Sequence, residues 1–169
     1  MTAESLYSKE VMKHFKNPKN IGVIKNADGV GRVGNMRCGD IMELYIKIKR
    51  VKKKEIISDV KFQTFGCVVA LAVSSMLTTI VKNKSIEEAI KITNKEILEK
   101  SGPVPPIKVH CSVLAADALH EAIYDYLSKS KKPIPEILLK EHERIKSTLE
   151  QVEETHKEFT KLEEKILKK

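Results

Sequence analysis

The chain has no tryptophan, and aromatic residues make up only 5% of its 169 positions. A core without bulky rings must be built from Ile, Leu, Val and Ala. Cysteine is equally scarce: there are three, an odd number that cannot close into a disulfide framework. Long apolar runs are missing too. The longest, Val68 to Val73, falls far short of the roughly 20 residues that span a bilayer, so no membrane partner is expected. The opening residues MTAESLYSKE contain no apolar export segment. The expectation is a cytoplasmic protein with reduced thiols. The glycosylation-like triplet Asn83-Lys84-Ser85 then carries no meaning.

Acidic residues are in deficit: 23 Asp and Glu face 31 Lys and Arg, for a net charge of +8. Nucleic-acid binding needs a dense basic face or interleaved aromatics. The lysines are instead scattered, with one short run at Lys52-Lys53-Lys54 in an expected turn. No nucleic-acid partner is expected, and an acidic protein surface is the better use of the charge. From position 136 onward, nine Glu oppose eight Lys and Arg. The basicity therefore belongs to the part before it.

Residues 5 to about 16 read as a short helix, with Leu6, Val11, Met12 and Phe15 near helical spacing and Pro18 as the stop. Residues 17–39 are rich in Gly and Asn, with strand-like pieces around Val30 and Val33. From Met42 to Val51 the pattern alternates: Met42, Leu44, Ile46 and Ile48 face one way, Glu43, Tyr45, Lys47 and Lys49 the other. A second strand, about Glu55 to Phe65, puts Val60, Phe62 and Thr64 on one face, and the two are expected to pair antiparallel. Cys67 to about Val81 is a continuous apolar helix with very little charge, which must be covered. Ser85 to Ile92 fits another helix, with Ser85 and Glu88 as a reciprocal cap. Asn94 is expected to cap a further turn ending before Gly102. The prolines of GPVPPIKVH make a stiff, extended connector. A helix from about Ser112 to Leu127 follows, and Pro133 and Pro135 break the chain again. The remainder is one long polar helix. Leu138, Ile145, Val152, Phe159 and Ile166 recur every seventh residue, while the companion positions Glu141, Thr148, Thr155 and Leu162 are mostly poor and Leu149 thickens the seam. Such a helix either docks on its own domain or self-associates weakly. The expected fold is α+β, a small antiparallel sheet packed against helices, with a domain at 1–132 and a helical extension at 133–169.

Each cysteine falls at a junction between elements. Cys38 lies in Arg37-Cys38-Gly39-Asp40, just before a strand. Cys67 follows Gly66 at a helix start, and Cys111 follows His110 at another. Unpaired N–H groups at a helix start favour a thiolate. Three thiols with a carboxylate or an imidazole supply four ligands, suited to a metal or to sulfur handling. Any one of these cysteines alone is more simply a small buried hydrophobe.

Four stretches in order, YSKEVMKHFKNPKNIGVI, CGDIMELYIKIK, FQTFGC and VPPIKVHCSVLAADALHEAI, resemble the iron–sulfur cluster assembly scaffold family, IscU and the NifU-like N-terminal domain, over roughly residues 3 to 130. The resemblance implies a small antiparallel sheet packed by helices and no enzymatic turnover. It implies cluster thiolates at Cys38, Cys67 and Cys111, a carboxylate at Asp40 that keeps the cluster labile, and an assisting imidazole at His110. It implies iron, a transient [2Fe–2S] cluster, sulfur from a cysteine desulfurase received as a persulfide on one of the thiols, and electrons from a ferredoxin; Cys111, at a helix start beside His110, is the expected acceptor on its nucleophilic setting. It further implies hand-off to apo-acceptor proteins. Val104, Pro105, Pro106, Ile107 and Lys108 resemble the family's binding motif for an Hsp70-type chaperone and its J-protein; by themselves they read equally as a rigid connector.

Two departures stand out. Small residues commonly follow the family's middle cysteine, and here Val68 and Val69 add bulk. The helix after Pro135 is not needed by the family core. Two other occupations fit the same residues: a zinc-bound sulfur acceptor that stimulates a desulfurase, and a metal-free structural or interaction protein.

Overall fold

A computed structural model describes residues 6–35 and 38–167, with side chains to Lys161 and at Glu163. The architecture is α+β, as expected. Strands β1 (Gly29–Gly34), β2 (Ile41–Val51) and β3 (Lys54–Phe65) form one antiparallel sheet in the order β1-β2-β3. Met42, Leu44 and Ile46 of β2 are buried, and Leu44 and Ile46 lie across from Phe62 and Val60 of β3, also buried. A bulge interrupts the register: Lys47 pairs with Asp59, but Ile48 pairs with Ile57. Ser58 is the extra residue, its hydroxyl donating to the Lys47 carbonyl at 3.0 Å. The slip flips the side-chain parity, so Ile57 rather than Ser58 enters the core. The hairpin turns on Lys52, at φ 55°, and Lys54 already belongs to β3.

Helix α1 (Lys9–Lys16) starts later than expected because Ser8 is its cap, accepting from the Val11 N–H at 3.0 Å; Ser5 lies outside the described residues. Helix α2 (Val68–Val81) is buried along most of its length, as its continuous apolar run required. Helix α3 is shorter than expected, Ile86–Ala89, and carries the full reciprocal cap between Ser85 and Glu88. Helix α4 (Asn94–Ser101) is capped by Thr93, one residue before the expected Asn94. The Thr93 hydroxyl accepts from the Glu96 N–H at 3.3 Å.

The proline-rich connector is extended only to Pro105. Pro106–Lys108 form a 3-10 turn that runs straight into α5 (Val109–Lys129). Proline is tolerated in a first turn because its missing N–H has no partner there anyway. His110 and Cys111 are therefore inside the helix, not ahead of it.

Helix α5 crosses the sheet at very short range. A Cβ on Gly31 would stand 2.1 Å from the Ala118 carbonyl oxygen, and one on Gly29 would stand 2.2 Å from that of Ala122. These glycines exist so that strand and helix backbones can touch. Ala115, Ala118, Leu119, Ala122 and Ile123 of α5 fill the core with α2 and the sheet.

The last helix, α6 (Glu136–Leu167), docks on its own molecule, along α5 and the edge strand β1. Leu138, Ile145 and Val152 are buried, whereas Phe159, the next in that row, is 62% exposed. Leu162 and Ile166 lie outside the described side chains. Half-buried residues flank that row on both sides, Glu141, Thr148 and Thr155 on one and His142, Leu149 and His156 on the other, and Glu141 Oε2 stands 2.5 Å from His120 Nδ1 of α5. His142 stacks on Tyr124, ring centroids 3.8 Å apart, and its Nδ1 is 2.8 Å from Glu121 Oε1. Arg144 donates to Asp117 at 2.8 Å, and Arg32 of β1 pairs with Glu153 at 2.8 Å. Among the described residues, no helix is long and apolar enough to cross a membrane.

Candidate metal centre

Three junctions meet at one end of the sheet. The loop from Asn35 to Asp40 joins β1 to β2 and carries Cys38 and Asp40. It is tied by the Asn35 N–H donating to the Asp40 carbonyl at 2.9 Å and the Gly39 N–H donating to the Asn35 carbonyl at 2.8 Å. Gly39 sits at φ 70°, a left-handed conformation open to glycine. Cys67 caps α2 with extended backbone, φ −78° and ψ 173°. Cys111 is in the first turn of α5, with His110 before it.

The side chains converge. Donor atoms of Cys38, His110 and Cys111 lie within 4.8 Å of one another, as do those of Asp40, Cys67 and Cys111. Cys111 is common to both sets and fully buried; Asp40 is buried, and Cys38, Cys67 and His110 are half-buried. The sulfurs of Cys67 and Cys111 are 3.4 Å apart. The Cys67 N–H faces Asp40 Oδ2 at 3.4 Å. Gly66 leaves room for that carboxylate, since a Cβ there would stand 3.0 Å from it. All five residues singled out from the sequence are thus brought to one pocket.

The electrostatics are uneven. The Cys67 thiol is pulled down to about 6, first by its hydrogen bond with Cys111 and then, against burial, by the Ala70 and Val69 N–H groups at the start of α2. Cys111 is pushed strongly the other way by that same bond, by burial, and by the charges of Cys67, Cys38 and Asp40. The helix-start argument holds for Cys67 and fails for Cys111, because crowding by anionic neighbours outweighs the helix end. Burial also raises Cys38. Without a cation the pocket favours a single thiolate; a bound cation that relieves the mutual repulsion would release the remaining thiol protons.

The donor set fits iron bound to sulfide. Three soft sulfurs, an imidazole and a carboxylate surround one space, and [2Fe–2S] clusters take four protein ligands in all. Five candidates for four places leave one exchangeable. His110 Nε2 is buried without a hydrogen-bond partner among the described residues, the condition of a nitrogen placed for something other than protein. The bulk of Val69 goes into the core, fully buried, and Val68 is half-buried beside the pocket. In the Val104–Lys108 stretch, Pro106 and Ile107 are exposed, Ile107 by 76%.

Two supports of the pocket escape sequence reasoning. Asn35 donates from Nδ2 to the His110 carbonyl at 3.3 Å, tying the loop to α5. His156 of α6 reaches Gly39: a Cβ on that glycine would stand 3.2 Å from His156 Nε2. An Asn in a Gly-rich loop and a His in a polar helix carry no local signal of either contact.

A family model described as the NifU-like N terminal domain matches residues 6–133. A curated relative from Archaeoglobus fulgidus, "Iron-sulfur cluster assembly scaffold protein IscU 1", is 54% identical over 127 residues, 75% of this chain and 80% of its own. An "Iron-sulfur cluster assembly scaffold protein IscU" from Aquifex aeolicus is 45% identical over 146 residues, 83% of this chain and 92% of its own. Among solved structures, a putative iron–sulfur cluster assembly scaffold for the SUF system from Fervidobacterium islandicum superposes with a TM-score of 0.56 at 25% identity, over 72% of this chain and 99% of that one. The N-terminal part of a NifU-like protein from Brucella abortus shares the fold, with a TM-score of 0.57 at 19% identity over 75% of this chain and 97% of that one. The three converging cysteines, the match to residues 6–133 and the close relatives together show that this chain belongs to the NifU-like N-terminal domain family of iron–sulfur cluster scaffolds.

Proposed function

We propose that this chain assembles a transient [2Fe–2S] cluster on Cys38, Cys67 and Cys111 and passes it to acceptor proteins. It is a scaffold for cluster assembly, not an enzyme, and it works with a desulfurase-type partner. The observation that carries the finer reading is the convergence of five donors on one pocket centred on Cys111. We read residues 1–132 as the scaffold domain, 133–169 as its helical extension, and the reducing cytoplasm as the compartment in which three free thiols persist.

Cys111 is the proposed persulfide acceptor. In resting metal-free protein it is a buried thiol, so the step requires the docked desulfurase to open the pocket and the Cys111 proton to pass to the Cys67 thiolate, 3.4 Å away; the Cys111 thiolate then attacks the terminal sulfur of the desulfurase persulfide. A new S–S bond forms on Cys111, the desulfurase S–S bond breaks, and the desulfurase cysteine leaves as a thiolate. Ferredoxin is the proposed electron donor that reduces this sulfur to sulfide as iron enters. Asp40 and His110 compete for the fourth ligand position. The exposed turn at Pro106 and Ile107 is the proposed handle for an Hsp70-type chaperone and its J-protein.

The test is anaerobic incubation of reduced protein with iron, cysteine and a desulfurase. Visible absorbance, with labile iron and sulfide in equal amounts, is expected. Failure under conditions that load a known scaffold overturns the reading. Metal analysis of protein purified without oxygen separates it from a zinc-bound sulfur acceptor, and peptide mass mapping shows which cysteine carries the first added sulfur. Replacing the exchangeable carboxylate by Asp40→Ala is expected to lengthen cluster lifetime several-fold; an unchanged decay rate counts against that role.

A further inference from the structure

The loop that carries Cys38 and Asp40 has two residues without side chains at its seams, Gly34 just before it and Gly39 between the cysteine and the aspartate. Both lie directly under α6. A Cβ on Gly34 would stand 3.1 Å from Leu149 and 3.2 Å from Val152, and one on Gly39 would stand 3.2 Å from His156 Nε2. Leu149, Val152 and His156 follow at three and four residues, so they share one helix face. That face is the docked one, because Val152 is 2% exposed. The contact stops there: Phe159, one turn beyond His156, is 62% exposed. The docked length of α6 therefore ends on the cluster loop.

We propose that α6 is a clamp on the cluster site, with His156 as a positioning residue for the loop that carries Cys38 and Asp40. The described ties of the loop to the domain include the backbone bonds of Asn35 and Gly39, the Asn35 bridge to α5 and the Cys67 N–H facing Asp40; over Gly34 and Gly39, which bring no side chain, α6 supplies the cover. The clamp is anchored away from the site by Leu138 and Ile145 and by the pairs Arg144–Asp117 and His142–Glu121. Its tip lies outside the residues matched by the family model, 6–133. It gives this chain a means of setting how readily Cys38 is exposed that the matched domain does not itself contain. The proposal rests on the scaffold reading only where it concerns the cluster.

The experiment compares the full chain with His156→Ala and with Lys157→Ala, a change at an exposed neighbour. In metal-free protein, alkylation of each cysteine is followed by peptide mass mapping and amide exchange by mass spectrometry. His156→Ala is expected to speed Cys38 alkylation and exchange at residues 38–40 about fivefold, a local opening without global unfolding. Cys67 and the Lys157→Ala protein should keep their rates. Unchanged Cys38 rates in His156→Ala overturn the clamp. Should exchange also rise across 138–152, His156→Gln decides, because it keeps a polar side chain of similar reach over Gly39: recovery of the original Cys38 rate supports the clamp, and no recovery overturns it. On the loaded protein, His156→Ala should shorten cluster lifetime. A wild-type chain that never loads a cluster would sink the scaffold reading while leaving the metal-free rates as the test of the clamp.

Discussion

Helices α5 and α6 lie side by side, and they are held in opposite ways. Helix α5 meets the sheet backbone to backbone, over Gly29 and Gly31, with alanines filling the narrow gap. Helix α6 meets α5 and the edge strand β1 through three buried apolar side chains and a row of polar pairs, Arg144 with Asp117 and His142 with Glu121 on α5, and Glu153 with Arg32 on β1. The first contact tolerates no added atom. The second is built from long side chains that lengthen, rotate and respond to salt. Rigidity is thus placed under Cys111 and His110, whose positions set the pocket, and compliance is placed in the helix that reaches the Cys38 loop.

The comparison breaks most readily at Gly31. The Gly31→Ala change forces a methyl into the Ala118 carbonyl and should cost about 3 kcal/mol, near the top of the usual overpacking range, read as a lower urea midpoint. A loss within error would show that α5 can retreat from the sheet. The pocket supplies a second, chemical test. A thiol held at about 6 is mostly thiolate above that pH, and only the thiolate is alkylated. In metal-free protein the alkylation rate of Cys67 should rise through about pH 6 and level off by pH 7, whereas an ordinary thiol is still rising near pH 8.5. Cys111 should stay unreactive across that range, because its pKa is displaced upward. A Cys67 profile centred near pH 8.5 would refute the sharing of one proton between the two sulfurs.

The compliant side should give smaller numbers. Ile145→Ala removes a buried anchor of α6 and should cost about 2 kcal/mol, at the low end for such truncations because the exposed side of the seam can collapse. Amide exchange should rise in α6 before it rises in α5; simultaneous release would make the two helices one unit. Arg144→Ala breaks the pair with Asp117 and should cost about 1 kcal/mol or less, since the guanidinium is half-exposed. The difference from wild type should shrink as salt is added. A salt-independent loss would mean that the arginine acts through packing instead.

Much of the fold could be read from pattern. The alternation from Met42 to Ile46, the apolar run of α2 and the Ser85–Glu88 cap are local, and local physics decides them. Departures from pattern also have local causes. The bulge at Lys47 and Ile48 inverts one strand's parity, Thr93 outcompetes Asn94 as a cap, and a proline-rich stretch whose composition predicts an extended connector opens a helix from Pro106.

By itself the sequence determined which chemistry was on offer: three thiols, a carboxylate and an imidazole at junctions, in motifs that resemble one family. Composition and spacing suffice for that, because a donor's softness and charge belong to the residue. Tertiary structure alone decided how those donors differ. Cys67 and Cys111 both stand at helix starts, yet their thiols shift in opposite directions, because 3.4 Å of separation and the anions around them outweigh the common helix-end effect. It also decided that the docked part of a polar helix ends over Gly39. A contact between residues 39 and 156 is a property of packing, and packing energies are summed over the whole core before any one of them can be read.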